Sequence, residues 1–371
     1  GTAVVMAGEA AIFVDGRYTL QVRDQVDGKF WSYESVPQTS VAEWLKSHAP
    51  EGARIGYDPW LHTRTWVKAA REALEAKKGE LVALPDNPVD AVWRDRPQPS
   101  DARLIVHPDR YAGKSSAEKR QQIAEWLAEK RADAAVLSAP DSIAWVFNIR
   151  GADVARTPVA LAFALVHADG TADLYVDDAK LDDDVLAHLG NAVRVHPRLD
   201  FVNGLSALNG KTVTADPATA VTAIFERLEQ AGAKIVEARD PAVLPKAIKN
   251  PVEIAGTKAA HVRDGAALTR FLHWIATETP KGSLDELTAS DKLRSFRDET
   301  GELRDLSFDT ISGAGPNGAI VHYRASEKTN RKLEPGQLYL VDSGGQYPDG
   351  TTDVTRTVAI GTPTDEMRDR F

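Results

Sequence analysis

The sequence predicts a mixed α/β and α+β protein. Two duplicated α/β domains, residues 1–100 and 101–247, precede the first part of an α+β domain, residues 248–371. Three observations carry this prediction. A pattern of strand, Asp-Pro turn, amphipathic helix and strand occurs twice. Each copy leaves through a proline-punctuated segment. From Lys249 onward the pattern changes to long helices and a strand pair bearing two aspartates.

The repeat is read as follows. AAIFVDGRYTLQV (10–22) parallels TADLYVDDAKLDD (171–183), and GARIGYDPWLHTRTWVKAAREALEAKKGELVAL (52–84) parallels GKTVTADPATAVTAIFERLEQAGAKIVEA (210–238). In the second helix Val221, Ile224 and Leu228 recur at helical spacing. PDNPVDAVWRDRPQP and RDPAVLPKAIKNP form the two exits. The second copy opens near Tyr111 with a helix, a strand and another helix, and the first copy has no counterpart to that opening. The expectation is an amino-terminal domain that is incomplete in this chain.

In the third segment, Asn250 as N-cap, Pro251 at the first helical position and Glu253 two residues further on predict a helix to about Thr279. Leu268, Phe271, Leu272 and Ile275 supply its apolar face. SLDE (283–286) is expected to cap a second helix in the same way. GTPTDEMRDRF at the end reads as a helix start, and so as a domain cut short.

Composition excludes several classes. With 43% hydrophobic and 27% charged residues the chain reads as globular, and no apolar run approaches a membrane span. A net charge of −9 without a basic stripe argues against a nucleic-acid partner. The acidic run Asp177–Asp184 reads as a solvated helix start. The absence of cysteine excludes disulfides, zinc–thiolate sites and thiol nucleophiles, and fits a reducing, cytoplasmic setting.

The chemistry concentrates in VDSGGQYPDGTTDVTRT (341–357). Strands disfavour aspartate, yet Asp342 and Asp353 stand inside an alternating pattern. Folding the chain at YPDG with Asp342 opposite Asp353 puts Leu340 against Thr355 and Leu338 against Thr357. Two carboxylates so placed repel unless a proton or cation lies between them. Solvated loop ends, an aspartic-protease dyad and a metal site are the competing readings. The dyad fails because no second D-[ST]-G occurs. Oxygen ligands suit Mg²⁺, Mn²⁺ or Ca²⁺, and further ligands would have to come from elsewhere. GAGPNG (313–318) has the G-x-G-x-x-G form, but AIVHYRA after it reads as a strand, so a dinucleotide site is discarded.

Taken together, FDTISGAGPNGAIVHYRA, LYLVDSGGQYPDGTTDVTRTVAIG and KNPVEIAGTKAAHVRDGAALTRFLHW resemble the long, three-domain form of aminopeptidase P, the Xaa-Pro aminopeptidases. AVWRDRP and DSIAWVFNIRGADV resemble the upstream domains of that family. The resemblance implies two creatinase-like amino-terminal domains and the first part of a pita-bread catalytic domain. It also implies a metallo-aminopeptidase that releases the first residue of peptides with proline second. Two Mn²⁺ ions would be held by two Asp, one His and two Glu. Only Asp342 and Asp353 match that set here, so the chain alone is expected to be inactive. His322, in the HY pair, would stabilise the developing oxyanion. Thr355 would orient a carboxylate. A homodimer through the catalytic domain is a further implication. Rival readings are a non-catalytic peptide-binding relative on the same fold and a prolidase-type dipeptidase.

Overall fold

The computed structural model describes residues 1–370 and forms two compact units. One combines Gly1–Ser40 with Glu253–Phe371, and the other spans Val41–Val252.

At the amino terminus β1 (Thr2–Val5), β2 (Ala10–Asp15) and β3 (Ser32–Val36) form one sheet. The β1–β2 pair is antiparallel and β2–β3 is parallel.

The unit from Val41 holds both copies of the predicted strand–helix–strand module. The first comprises β4 (Arg54–Tyr57), α1 (Arg64–Glu75) and β5 (Glu80–Ala83), with β4 and β5 parallel. A six-stranded sheet follows, from β6 (Ala134–Leu137), β7 (Phe163–His167), β8 (Ala172–Tyr175), β9 (Val193–His196), β10 (Thr212–Ala215) and, after α2 (Thr222–Gln230), β11 (Lys234–Glu237). Its order is β9-β8-β7-β6-β10-β11. The Asp-Pro turns explain the repetition. Asp58 accepts the Trp60 amide and Asp216 accepts the Ala218 amide, both at i+2. Their second oxygens bind the exit segments, at Asn87 and Asp240 respectively. Ile224 and Leu228 of α2 are fully buried against Val213 of the sheet and Phe201. In the acidic run, Asp182 caps the helix Asp183–Leu189 by accepting the Val185 amide.

The carboxy-terminal part begins with α3 (Pro251–Glu278), the predicted long helix, its start held by Asn250 accepting the Val252 amide. Next comes α4 (Glu286–Asp298). Its cap is Asp285, which accepts the Thr288 amide, rather than Ser283. Phe271 and Ile275 of α3 pack with Leu293 and Phe296 of α4 and with Tyr339 and Val341 of the sheet that follows. That sheet contains β12 (Ile311–Ala314), β13 (Leu338–Ser343) and, beyond the short pair β14 (Gly345–Tyr347) and β15 (Gly350–Thr351), β16 (Val354–Ala359). Strand β13 is central. A last helix, α5 (Asp365–Arg370), follows Pro363. No helix among the described residues is long and apolar enough to cross a membrane.

Candidate metal centre

Asp342 lies on β13, and Asp353 immediately precedes β16, the strand paired with it. Strand β13 pairs with β16 as Leu340↔Thr357 and Asp342↔Thr355, and β14 pairs with β15 as Gln346↔Thr351 and Tyr347↔Gly350. Both segments keep a single register, closed by the two-residue turn Pro348–Asp349. The expected pairing of Asp342 with Asp353 is therefore displaced by two residues. The two-residue turn fixes the register tightly. A shift of two preserves the face, since side chains alternate with period two. Asp353 is thus the diagonal neighbour of Asp342, and the continued register sets Gly344 against it. A Cβ at Gly344 would collide with the Thr352 carbonyl and the Ser307 hydroxyl, so only glycine lets the strands close beside the aspartates.

The two carboxylates act on one another. Burial, then the charge of Asp342, then a hydrogen bond with Asp342 raise Asp353 above the ordinary carboxylate range. Asp342 Oδ1 is buried without a hydrogen-bond partner. A buried acceptor with no donor, next to a second carboxylate, is the donor set that a hard divalent cation suits. Among the described residues no group of three or more His, Cys, Asp or Glu converges to hold a metal, so this chain brings two carboxylates and no third ligand.

Behind the ladder the hairpin is anchored to the helices. Arg297 on α4 forms two hydrogen bonds with Asp264 on α3, at 2.7 and 3.0 Å, and both side chains are almost fully buried. The same guanidinium donates to Ser343 Oγ, adjacent to Asp342, at 3.1 Å. Tyr347 donates to Asp264 at 2.7 Å, and Arg263 pairs with Asp349 in the turn. Sequence reasoning took Ser343 only as part of a D-S-G triplet and missed Asp264 and Arg297. Charged residues within a helix otherwise read as solvent-facing.

His322 does not lie on a strand. A 3-10 turn covers Gly315–Ala319, and His322 follows in a tight turn with φ +56°. The strand reading of AIVHYRA fails because the loop's polar groups converge on Glu286, which has no solvent exposure. Glu286 Oε1 accepts the Ala314 amide at 2.7 Å and Asn317 Nδ2 at 2.9 Å. Its Oε2 accepts the Tyr323 hydroxyl at 2.8 Å and the Arg331 amide at 3.1 Å. Tyr323 therefore points inward while His322, its neighbour, is exposed. There the Tyr18 hydroxyl lies 3.1 Å from His322 Nδ1. Thr355, opposite Asp342, is exposed, and no hydrogen bond links their side chains.

A separate concavity of about 750 Å³ lies in the unit from Val41. Asp173, one of its lining residues, accepts from His167, His196 and Arg194, so both carboxylate oxygens are already engaged.

Comparison with known proteins follows the same order along the chain. A creatinase/prolidase N-terminal domain model matches residues 1–89, a second matches 95–253, and the metallopeptidase family M24 model matches 255–371. Proteins described as probable Xaa-Pro aminopeptidase P from Aspergillus clavatus and Coccidioides posadasii are 39% and 40% identical over 100% and 98% of this chain, which covers 58% and 62% of them. A crystal structure of X-prolyl aminopeptidase from Caenorhabditis elegans, described as a cytosolic enzyme with a di-nuclear active site, superposes with a TM-score of 0.91. It is 32% identical, over 98% of this chain and 61% of that one. An Xaa-Pro dipeptidase from Bacillus anthracis, 20% identical with a TM-score of 0.54 over 69% of this chain and 68% of its own, shares the fold. The chain thus spans about three-fifths of the length of these aminopeptidase relatives. It carries two creatinase/prolidase N-terminal domains followed by part of a metallopeptidase family M24 domain of pita-bread fold, and along its full length it is similar to Xaa-Pro aminopeptidases P.

Proposed function

We propose that the whole protein hydrolyses peptides with proline in second position, releasing the first residue, and that Asp342 and Asp353 are two of the ligands of a paired Mn²⁺ site. The observation that carries this is the orphaned, buried Asp342 Oδ1 beside a carboxylate whose ionisation it disfavours. Such a pair is costly alone and is stabilised by a dication. When bound, the metal pair would supply a nucleophilic water at neutral pH. The chain's own residues hold and orient. Arg297 and Asp264 fix the strand that presents Asp342, Gly344 permits close strand approach beside Asp353, and Glu286 fixes the loop that presents His322. His322 is the donor for the developing oxyanion at the scissile carbonyl, a role worth about 10²–10³ in kcat. Thr355 stands opposite Asp342 on the neighbouring strand, where its hydroxyl would orient a carboxylate of the pair once metal is bound. The names of the relatives and the di-nuclear site of the Caenorhabditis elegans enzyme support this reading. They also support a cytoplasmic setting and peptide substrates; a homodimer formed through the catalytic domain is a further part of the proposal.

The test is made on the full-length protein. Asp342→Asn and Asp353→Asn should each abolish hydrolysis of an X-Pro peptide and lower bound manganese, measured by elemental analysis. His322→Ala should lower kcat with manganese content unchanged. Loss of metal from the His322 variant, or full activity of either Asn variant, overturns the assignment.

A further inference from the structure

We propose that Tyr18 is a positioning residue for His322, holding its imidazole in the tautomer that carries the proton on Nε2. This rests on the oxyanion-donor role given to His322 above. The Tyr18 hydroxyl lies 3.1 Å from Nδ1, and the rings meet edge to face, with centroids 5.6 Å apart and planes at 87°. The two residues are 304 positions apart in the chain.

Tyr18 is itself held in place. It ends the short 3-10 turn Gly16–Tyr18, which Asp15 caps by accepting the Arg17 amide at 3.0 Å. The Arg17 guanidinium donates twice to Asp15, at 2.8 and 2.7 Å, and stands 5.6 Å from the Tyr18 ring centroid. His322 is held from its other side through Tyr323, whose hydroxyl donates to the buried Glu286. A positive φ in a residue with a side chain is uncommon and persists where its surroundings fix it. One histidine is therefore gripped twice, through its backbone neighbour and through its ring.

Magnitudes separate orientation from stability. An exposed hydrogen bond contributes little to folding, on the order of 1 kcal/mol or less. Bridging two such distant segments by an exposed contact is a poor way to stabilise them. It is an effective way to fix a ring. A neutral imidazole has one N–H, and its position is set by the partner of the other nitrogen. A phenolic O–H is a stronger acid than a neutral imidazole N–H, so Tyr18 donates and Nδ1 accepts. The proton then sits on Nε2, the nitrogen turned away from Tyr18. An oxyanion needs that donor. The opposite tautomer would present it with a lone pair.

Histidine-selective ¹⁵N labelling of this chain, with long-range proton–nitrogen correlation, reads the tautomer directly. The His322 signals are assigned by their loss in His322→Gln. The wild-type chain should show Nε2–H alone, and Tyr18→Phe should show a mixture. In the full-length enzyme Tyr18→Phe should lower kcat about tenfold with KM little changed. The same change should add nothing in a His322→Ala background. An Nδ1–H tautomer in the wild type, an unchanged tautomer in Tyr18→Phe, or additive kinetic losses would overturn the proposal. If the full-length protein fails to cleave X-Pro peptides, the functional reading falls, while the tautomer measurement still decides what Tyr18 does.

Discussion

Tyr323 donates a 2.8 Å hydrogen bond to Glu286, a carboxylate with no solvent exposure that also accepts two backbone amides and one side-chain amide. One acidic residue at the first turn of α4 thereby determines the path of the loop from Gly315 to Arg331.

Glu286→Ala should be among the more destabilising substitutions in the carboxy-terminal part. It leaves several buried donors without an acceptor, at a cost of about 3 kcal/mol or more. Tyr323→Phe removes one donor and should cost about 1 kcal/mol. Urea unfolding of each variant checks the order. Equal losses would mean that the loop does not depend on the carboxylate.

Arg297→Met should destabilise by about 3–5 kcal/mol, because it leaves Asp264 buried and uncompensated. The double change Arg297→Met with Asp264→Leu should recover most of that loss, since desolvation of both charges disappears together. Denaturation midpoints of the two single variants and the double variant test this. A double variant as unstable as the sum of the singles would contradict it.

The turn beneath the hairpin predicts a dependence on acid. The Arg263 guanidinium, hydrogen-bonded to Asp349, holds that carboxyl below its ordinary range against an opposing effect of burial. A depressed folded pKa adds stability above the unfolded value and loses it as pH falls through the folded one. Stability should therefore decline below the ordinary Asp range, and Arg263→Met should flatten that part of the profile. Chemical denaturation across pH measures it.

Asp353 predicts the opposite sign. Its raised pKa, from burial first and Asp342 second, adds stability at low pH that is lost as pH rises through the folded value. Asp342→Asn should return Asp353 toward the ordinary range, seen in a carboxyl-carbon NMR titration. Mn²⁺ should bind this chain weakly, with a Kd on the order of millimolar, because two carboxylates are a sparse ligand set. Calorimetry showing tight binding to this chain would contradict that expectation.

The parts of the fold legible in the sequence were those with local causes. The two Asp-Pro modules could be read because Asp58 and Asp216 make the same turn with the same two oxygens. The long helix could be read from Asn250 and its apolar face. The face shared by Asp342 and Asp353 was also legible, since alternation survives a shift of two. Their direct opposition was not, because it depended on the turn length around Pro348. Glu286, Arg297 and Tyr18 were missed for another reason. Each acts through a residue distant in the chain, and a charged or phenolic side chain gives no local sign of being buried or of reaching across a fold. Glu286 was taken for part of a helix cap, and its burial appears only when the loop closes on it.

The first forty residues share a compact unit with Glu253 and beyond, with roughly 200 residues of the other unit in between. During synthesis at about 5–20 residues per second, the nascent β1–β3 segment would wait roughly 10–40 s before the rest of its unit begins to be made. Val4, Ala11 and Phe13, all buried in the folded chain, would remain without their final packing over that interval. The unit spanning Val41–Val252 can complete itself meanwhile. Ribosome-bound chains stopped before Glu253 should therefore protect that unit from protease while the first forty residues remain cleavable, and holdase chaperones should engage the early strands.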